Sequence, residues 1–115
     1  MTKDEVTKLA ESIFEELSRK GEIRINELVI TFPSGACGDA TRYFLSKLNK
    51  EVKASYVCGT WYHNDFGTHA WAEVTCSDLE EPLIVDLTCH QFGDRCPHKT
   101  FYVGTDRTWH DTFDK

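Results

Sequence analysis

Apolar residues recur at three- and four-residue spacing near the start of the chain, at Val6, Leu9, Ile13 and Leu17. That spacing puts them on one helical face, so a helix is predicted from about Thr2 to Lys20. Thr2-Lys3-Asp4-Glu5 has the form of a capping box, and Gly21 supplies a stop. Glu22 to Ile30 fits either a short strand or an irregular lead-in whose anchors are Ile23, Ile25 and Leu28. Phe32-Pro33-Ser34-Gly35 then breaks the chain, and a second helix is predicted from about Cys37 to Leu48. Ala40, Tyr43, Phe44 and Leu48 line one face of it, while Lys47, Asn49 and Lys50 turn to water.

Beyond that point the period changes to two. Val52 to Gly59 alternates Val52, Ala54, Tyr56 and Cys58 against Ser55 and Val57. Thr68 to Thr75 sets Ala70, Ala72 and Val74 on one face and His69, Trp71 and Glu73 on the other. Leu83 to Leu87 is a short apolar run of the fully buried type. The segments between these strands are polar, turn-like and short enough for antiparallel connections. A last short strand is expected near Thr100 to Val103, followed by a tail whose Trp109 and Phe113 are candidates to pack back. The sum is an α+β fold, with N-terminal helices packed on a meandering antiparallel sheet.

Length and composition narrow the function classes. With 115 residues, positions 1–115 form one domain with a single modest core. A net charge of −6, with the Lys and Arg residues scattered, lacks the basic footprint of nucleic-acid binding, so no nucleic-acid partner is expected. The N-terminus has no secretory apolar region, and no stretch approaches the ~20 apolar residues of a membrane span. A cytoplasmic protein with no membrane partner is therefore expected. An effector or toxin exported by a specialised route would share these features. Five cysteines leave at least one free thiol in any intramolecular pairing. In a reducing compartment, thiols serve metals or chemistry more often than disulfides.

Three residues stand where thiol chemistry needs them. Cys37 opens the second helix, where unpaired N–H groups and the positive end of the helix dipole favour thiolate. Its own amide can serve as one oxyanion donor, and Gly35 and Gly38 leave space for a substrate carbonyl. His69, next to Trp71, is expected to sit partly dry and neutral, able to take the thiol proton. Asp86 ends the apolar run Leu83-Ile84-Val85, where an unpaired carboxylate would be costly, so it needs a partner such as one ring nitrogen of His69. Each position also has a plain structural account: a small buried residue, a core histidine, and an Asp bonding the turn through Thr88.

The stretch from Phe32 to Phe92, carrying FPSGACGDA, HAWAEV and IVDLTCHQF, resembles small bacterial transglutaminase-like cysteine hydrolases of the papain-like superfamily. The resemblance implies Cys37 as nucleophile, His69 as general base and later general acid, and Asp86 as the orienting group. A peptide or protein substrate, no cofactor and no metal are expected, the resemblance itself not fixing the substrate. Hydrolysis of a peptide or amide bond is the expected reaction, with deamidation or crosslinking of a protein glutamine as the alternative. No Gln precedes Cys37 as a second oxyanion donor. Trp61, Trp71 and Gln91 are the substitutes, and Trp61, His63 and Asp65 are candidates to face substrate. A different class of reading makes Cys89, His90, Cys96 and His98 a zinc site, or the chain a non-catalytic interaction domain. The spacing lacks the paired C-x-x-C of common zinc modules.

Overall fold

The structure, a computed structural model, describes residues 1–25, 27–33, 36–60 and 67–115, the side chain of Ile25 excepted. Helix α1 spans Lys3–Lys20 and starts on the expected capping box. The Thr2 side chain accepts from the Glu5 N–H, and the Glu5 carboxylate accepts from the Thr2 N–H. Gly21 closes the helix in the left-handed conformation at φ 66°. The ambiguous stretch is a two-stranded antiparallel hairpin, β1 Glu22–Ile25 and β2 Leu28–Thr31. Its Ile23 is buried and Ile30 packs on the core, while Leu28 and Val29 are exposed.

Helix α2 spans Cys37–Lys47 and buries Ala40, Thr41 and Phe44. The main sheet follows as a four-stranded antiparallel meander: β3 Ala54–Thr60, β4 Thr68–Val74, β5 Leu83–Asp86 and β6 Tyr102–Gly104. Pairing of Ala72 with Val85 and Val74 with Leu83 puts the small and branched residues of β4 and β5 on one face. That face meets Val6, Ala10, Ile13 and Leu17 of α1 and Ala40 and Phe44 of α2 in one apolar cluster. Among the described residues, no helix is long and apolar enough to cross a membrane.

The other face of the sheet is covered as well, which the sequence pattern did not foretell in detail. Trp71 and Ile84 pack there with Cys89, Cys96, Trp109 and Phe113 in a second apolar cluster. Two elements supply the cover. A 3-10 segment over Cys89–Arg95, broken at Gly93, follows β5, and a shorter one over His110–Thr112 lies in the C-terminal tail. The tail leaves β6, crosses the sheet and bridges the outer strand, where Thr60 and Asp114 exchange backbone hydrogen bonds of 2.8 Å. Its other tethers are the Trp109 indole N–H to the Arg95 carbonyl at 3.0 Å and the Arg107 guanidinium on Glu73 at 2.8 Å.

Gly59 makes the crossing possible, since a Cβ there would lie 2.7 Å from the Cβ of Phe113. Gly59→Ala should therefore destabilise the fold by about 1–3 kcal/mol and open the tail to limited proteolysis. An unchanged thermal midpoint with an equally resistant tail would contradict this packing.

Candidate active site

Cys37 is the first residue of α2, and the residue before it, Ala36, makes no side-chain cap. A Ser or Asp at that position would consume one of the helix's orphan N–H groups. Ala36 leaves them for a negative charge, which is what a thiolate or an oxyanion supplies. The thiol is half-buried. Burial alone would push it up, but the His69 imidazole beside it and the N–H dipoles of Ala70 and Gly38 hold it below its ordinary value. Cys76, raised by burial, has no such neighbour, and Cys89 is also driven up.

His69 is fully buried on β4, on the face opposite the helices. Its ring is walled by Trp71 at 5.7 Å, Phe92 at 4.8 Å, Trp109 at 5.9 Å and Phe113 at 5.6 Å between centroids. Its Nε2 donates to Oδ2 of Asp86 at 2.7 Å. Nδ1 is buried with no hydrogen-bond partner of its own among the described residues, which makes it the nitrogen available to the Cys37 sulfur.

The expectation of a neutral imidazole needs correction. Burial pushes His69 down, but the Asp86 charge, its hydrogen bond and the neighbouring thiol outweigh burial and raise it to about 9. With Cys37 lowered and His69 raised, the balance between the two shifts toward a thiolate–imidazolium pair.

Asp86 is fully buried at the end of β5. Burial would raise it, yet the charge on His69 and hydrogen bonds from His110 and His69 lower it to about 2. Its two oxygens divide the work. Oδ1 accepts the Thr88 N–H at 3.1 Å, the turn-capping role weighed from sequence. Oδ2 accepts both His69 and, at 2.7 Å, Nε2 of His110. Sequence reading missed His110, because it lies far along the chain in a tail segment with no strand or helix period. The one available signal was its position between Trp109 and Phe113, which mark a segment that packs inward.

The remaining expected residues are distributed as follows. Gly35 and Trp61 lie outside the described residues, as do His63 and Asp65. Gly38 lies close to the tips of two side chains, which would have to shift slightly to admit a Cβ. A Cβ there would come within 3.0 Å of the Tyr56 hydroxyl and 3.3 Å of the Arg42 guanidinium. Trp71 is not a free oxyanion donor, since its indole N–H donates to Glu73 at 3.1 Å and its side chain is fully buried. Gln91 sits half-buried in the 3-10 segment, its backbone N–H bonded to the Thr88 carbonyl at 3.0 Å. Tyr56 and Arg42, stacked at 4.8 Å, lie beside Gly38 and were not singled out from sequence.

The four zinc candidates diverge. Cys89 and Cys96 share the second cluster, whereas the His90 ring lies against Phe14 at 5.4 Å and the His98 ring stacks on Tyr102 at 3.9 Å. No group of three potential metal ligands is found among the described residues. Comparison with protein-family models, with curated proteins and with solved structures finds no match for this chain.

The directions of these shifts fix a pH window. Asp86, depressed from 3.8, stabilises the fold above 3.8, and that contribution is lost as pH falls through about 2. His69, raised from 6.5, stabilises fully below 6.5, and its contribution is lost as pH rises through about 9. In Asp86→Asn the His69 midpoint should fall by roughly 1–3 pH units, because the opposing charge is gone and burial acts alone against the thiol. The same substitution should cost about 1–3 kcal/mol, as buried donors lose their acceptor. NMR titration of the His69 ring and denaturant unfolding check both; a midpoint that stays near 9 would contradict the Asp86 assignment.

Proposed function

We propose that this protein is a thiol-dependent acyl-transfer enzyme with a transglutaminase-like arrangement, hydrolysing a peptide or amide bond. The observation that carries the reading is the His69–Asp86 pair, fully buried and joined at 2.7 Å, with the Cys37 thiol lowered by the His69 imidazole. A buried ion pair of this kind is a costly way to hold two strands together, and replacing such pairs with apolar residues is often neutral or stabilising. Coupling it to a nucleophile accounts for its presence.

In the first half-reaction the Cys37 thiolate attacks the substrate carbonyl carbon, forming a C–S bond and a tetrahedral oxyanion. The Cys37 amide at the uncapped start of α2 serves as a donor for that oxygen. The His69 imidazolium passes its Nδ1 proton to the leaving nitrogen as the C–N bond breaks, giving an amine and a thioester. Water then attacks the thioester while neutral His69 takes its proton. Collapse breaks the C–S bond, releases the acid and returns the thiolate–imidazolium pair. Throughout, Asp86 keeps the Nε2 proton in place, so Nδ1 is the nitrogen that gives and receives. Water is the favoured acceptor because it requires no second binding site in a domain of 115 residues.

Two measurements test this. At about pH 6, iodoacetamide should label Cys37 well ahead of Cys58, Cys76, Cys89 and Cys96, because thiolate rather than thiol reacts. Against a peptide library followed by mass spectrometry, Cys37→Ala should abolish cleavage, and His69→Ala should lower it by roughly a thousandfold or more. Equal labelling of all five thiols, or cleavage that survives in Cys37→Ala, would remove the reading.

A further inference from the structure

Asp86 is approached by two imidazoles, and the reaction as written needs only one. His110 is fully buried, and its Nε2 lies 2.7 Å from the same Oδ2 that holds His69. An ionised carboxylate only accepts, so both Nε2 atoms must carry hydrogen. The other ring nitrogen of His110 has no hydrogen-bond partner among the described residues, so Asp86 is its polar contact there.

Anchoring the tail does not require a histidine at this position. Trp109 and Phe113 on either side are themselves buried, and the tail is further tied at Arg107 and Asp114. A buried imidazole in place of an apolar ring brings a polar atom that must be satisfied. Here it is satisfied on the one oxygen that also controls His69.

We infer that His110 is a positioning residue for the Cys37–His69 pair, sharing Oδ2 of Asp86 with His69 and thereby setting how tightly the His69 ring holds its proton. Two N–H groups on one oxygen divide its negative charge. Without His110, the full charge of Oδ2 would fall on His69, whose proton would then be held more strongly. A more tightly held proton is given less readily to a leaving amine, so catalysis slows even though the pair remains intact. The sharing also makes the docked tail a condition for a correctly tuned site, because His110 reaches Asp86 only from the packed tail.

The ionisable groups around this unit come from several elements: Cys37 from α2, Cys89 and His90 from the 3-10 segment after β5, Cys96 from its end, His98 from beside the His110 ring at 6.2 Å, and Asp106 from the segment after β6. None of them bonds Oδ2, so the effect of His110 is separable from theirs.

This inference rests on the His69–Asp86 geometry of the proposed function, but its test requires no substrate and stands or falls apart from the reaction. NMR of the histidine rings in the unaltered protein should show His110 protonated at Nε2; protonation at Nδ1 alone would overturn the inference, since Nε2 would then face Oδ2 without a hydrogen. His110→Phe keeps a ring and removes the donor, and should raise the His69 midpoint by about half a pH unit or more, roughly threefold in proton affinity. His110→Gln retains an N–H in reach of Oδ2 and should restore the midpoint to near the unaltered value. An unchanged or lowered midpoint in folded His110→Phe protein, or equal shifts in both variants, would reduce His110 to a tail anchor. If His110→Phe does not fold, the tautomer and the Gln variant still decide. Absence of cleavage in the unaltered protein, with these titrations as expected, would count against the proposed reaction and leave the Asp86 sharing intact.

Discussion

A carboxylate with no access to water organises this molecule. Asp86 ends a strand whose other three residues are fully apolar, and its charge survives burial only because three donors converge on it. Those donors come from β4, from the turn after β5 and from the C-terminal tail. Satisfying one buried group therefore fixes the register of two strands, the exit of the chain from β5 and the docking of the last residues. An unpaired charge at that depth would be lost by protonation before the fold tolerated it.

The sheet separates two kinds of interior. On the helix side the packing is aliphatic, with small residues of β4 letting α2 approach closely. On the opposite side it is aromatic, with Trp71, Phe92, Trp109 and Phe113 enclosing His69. The aromatic wall excludes water from the imidazole and so strengthens its interaction with Asp86, since charge interactions weaken with dielectric. Cys37 comes from α2 on the helix side and His69 from the aromatic face of β4, so different layers supply the thiol and the ring.

Cys37 is lowered by the imidazole beside it, whereas Cys96 is lowered chiefly by its bond with the Cys89 thiol and is buried. Burial, helped by the Asp78 charge, raises Cys76 against the pull of the N-terminal ammonium, and the Cys96 thiol together with burial raises Cys89. Cys37 is half-buried at a helix start with an imidazolium next to it, and the opposing effects resolve toward thiolate. Burial and charge compete at every ionisable group here. The partner decides the sign.

The periodicities at Val6-Leu9-Ile13-Leu17 and Ala70-Ala72-Val74 determined α1 and the inward face of β4, because local spacing dictates which side chains share a face. The apolar run ending at Asp86 likewise determined that this carboxylate would be buried and in need of partners. Cys37 at a helix start and His69 on an alternating strand were legible for the same local reason. The protonation state of His69 was not, since it depends on a balance between burial and charges brought from two other segments, α2 and β5. His110 was not legible either, because no local pattern ties position 110 to position 86; only the crossing of the tail over the sheet, allowed by the missing side chain at Gly59, brings them within a hydrogen bond. Local chemistry is written along the chain, whereas the sharing of one buried oxygen by two distant rings exists only after the layers have closed.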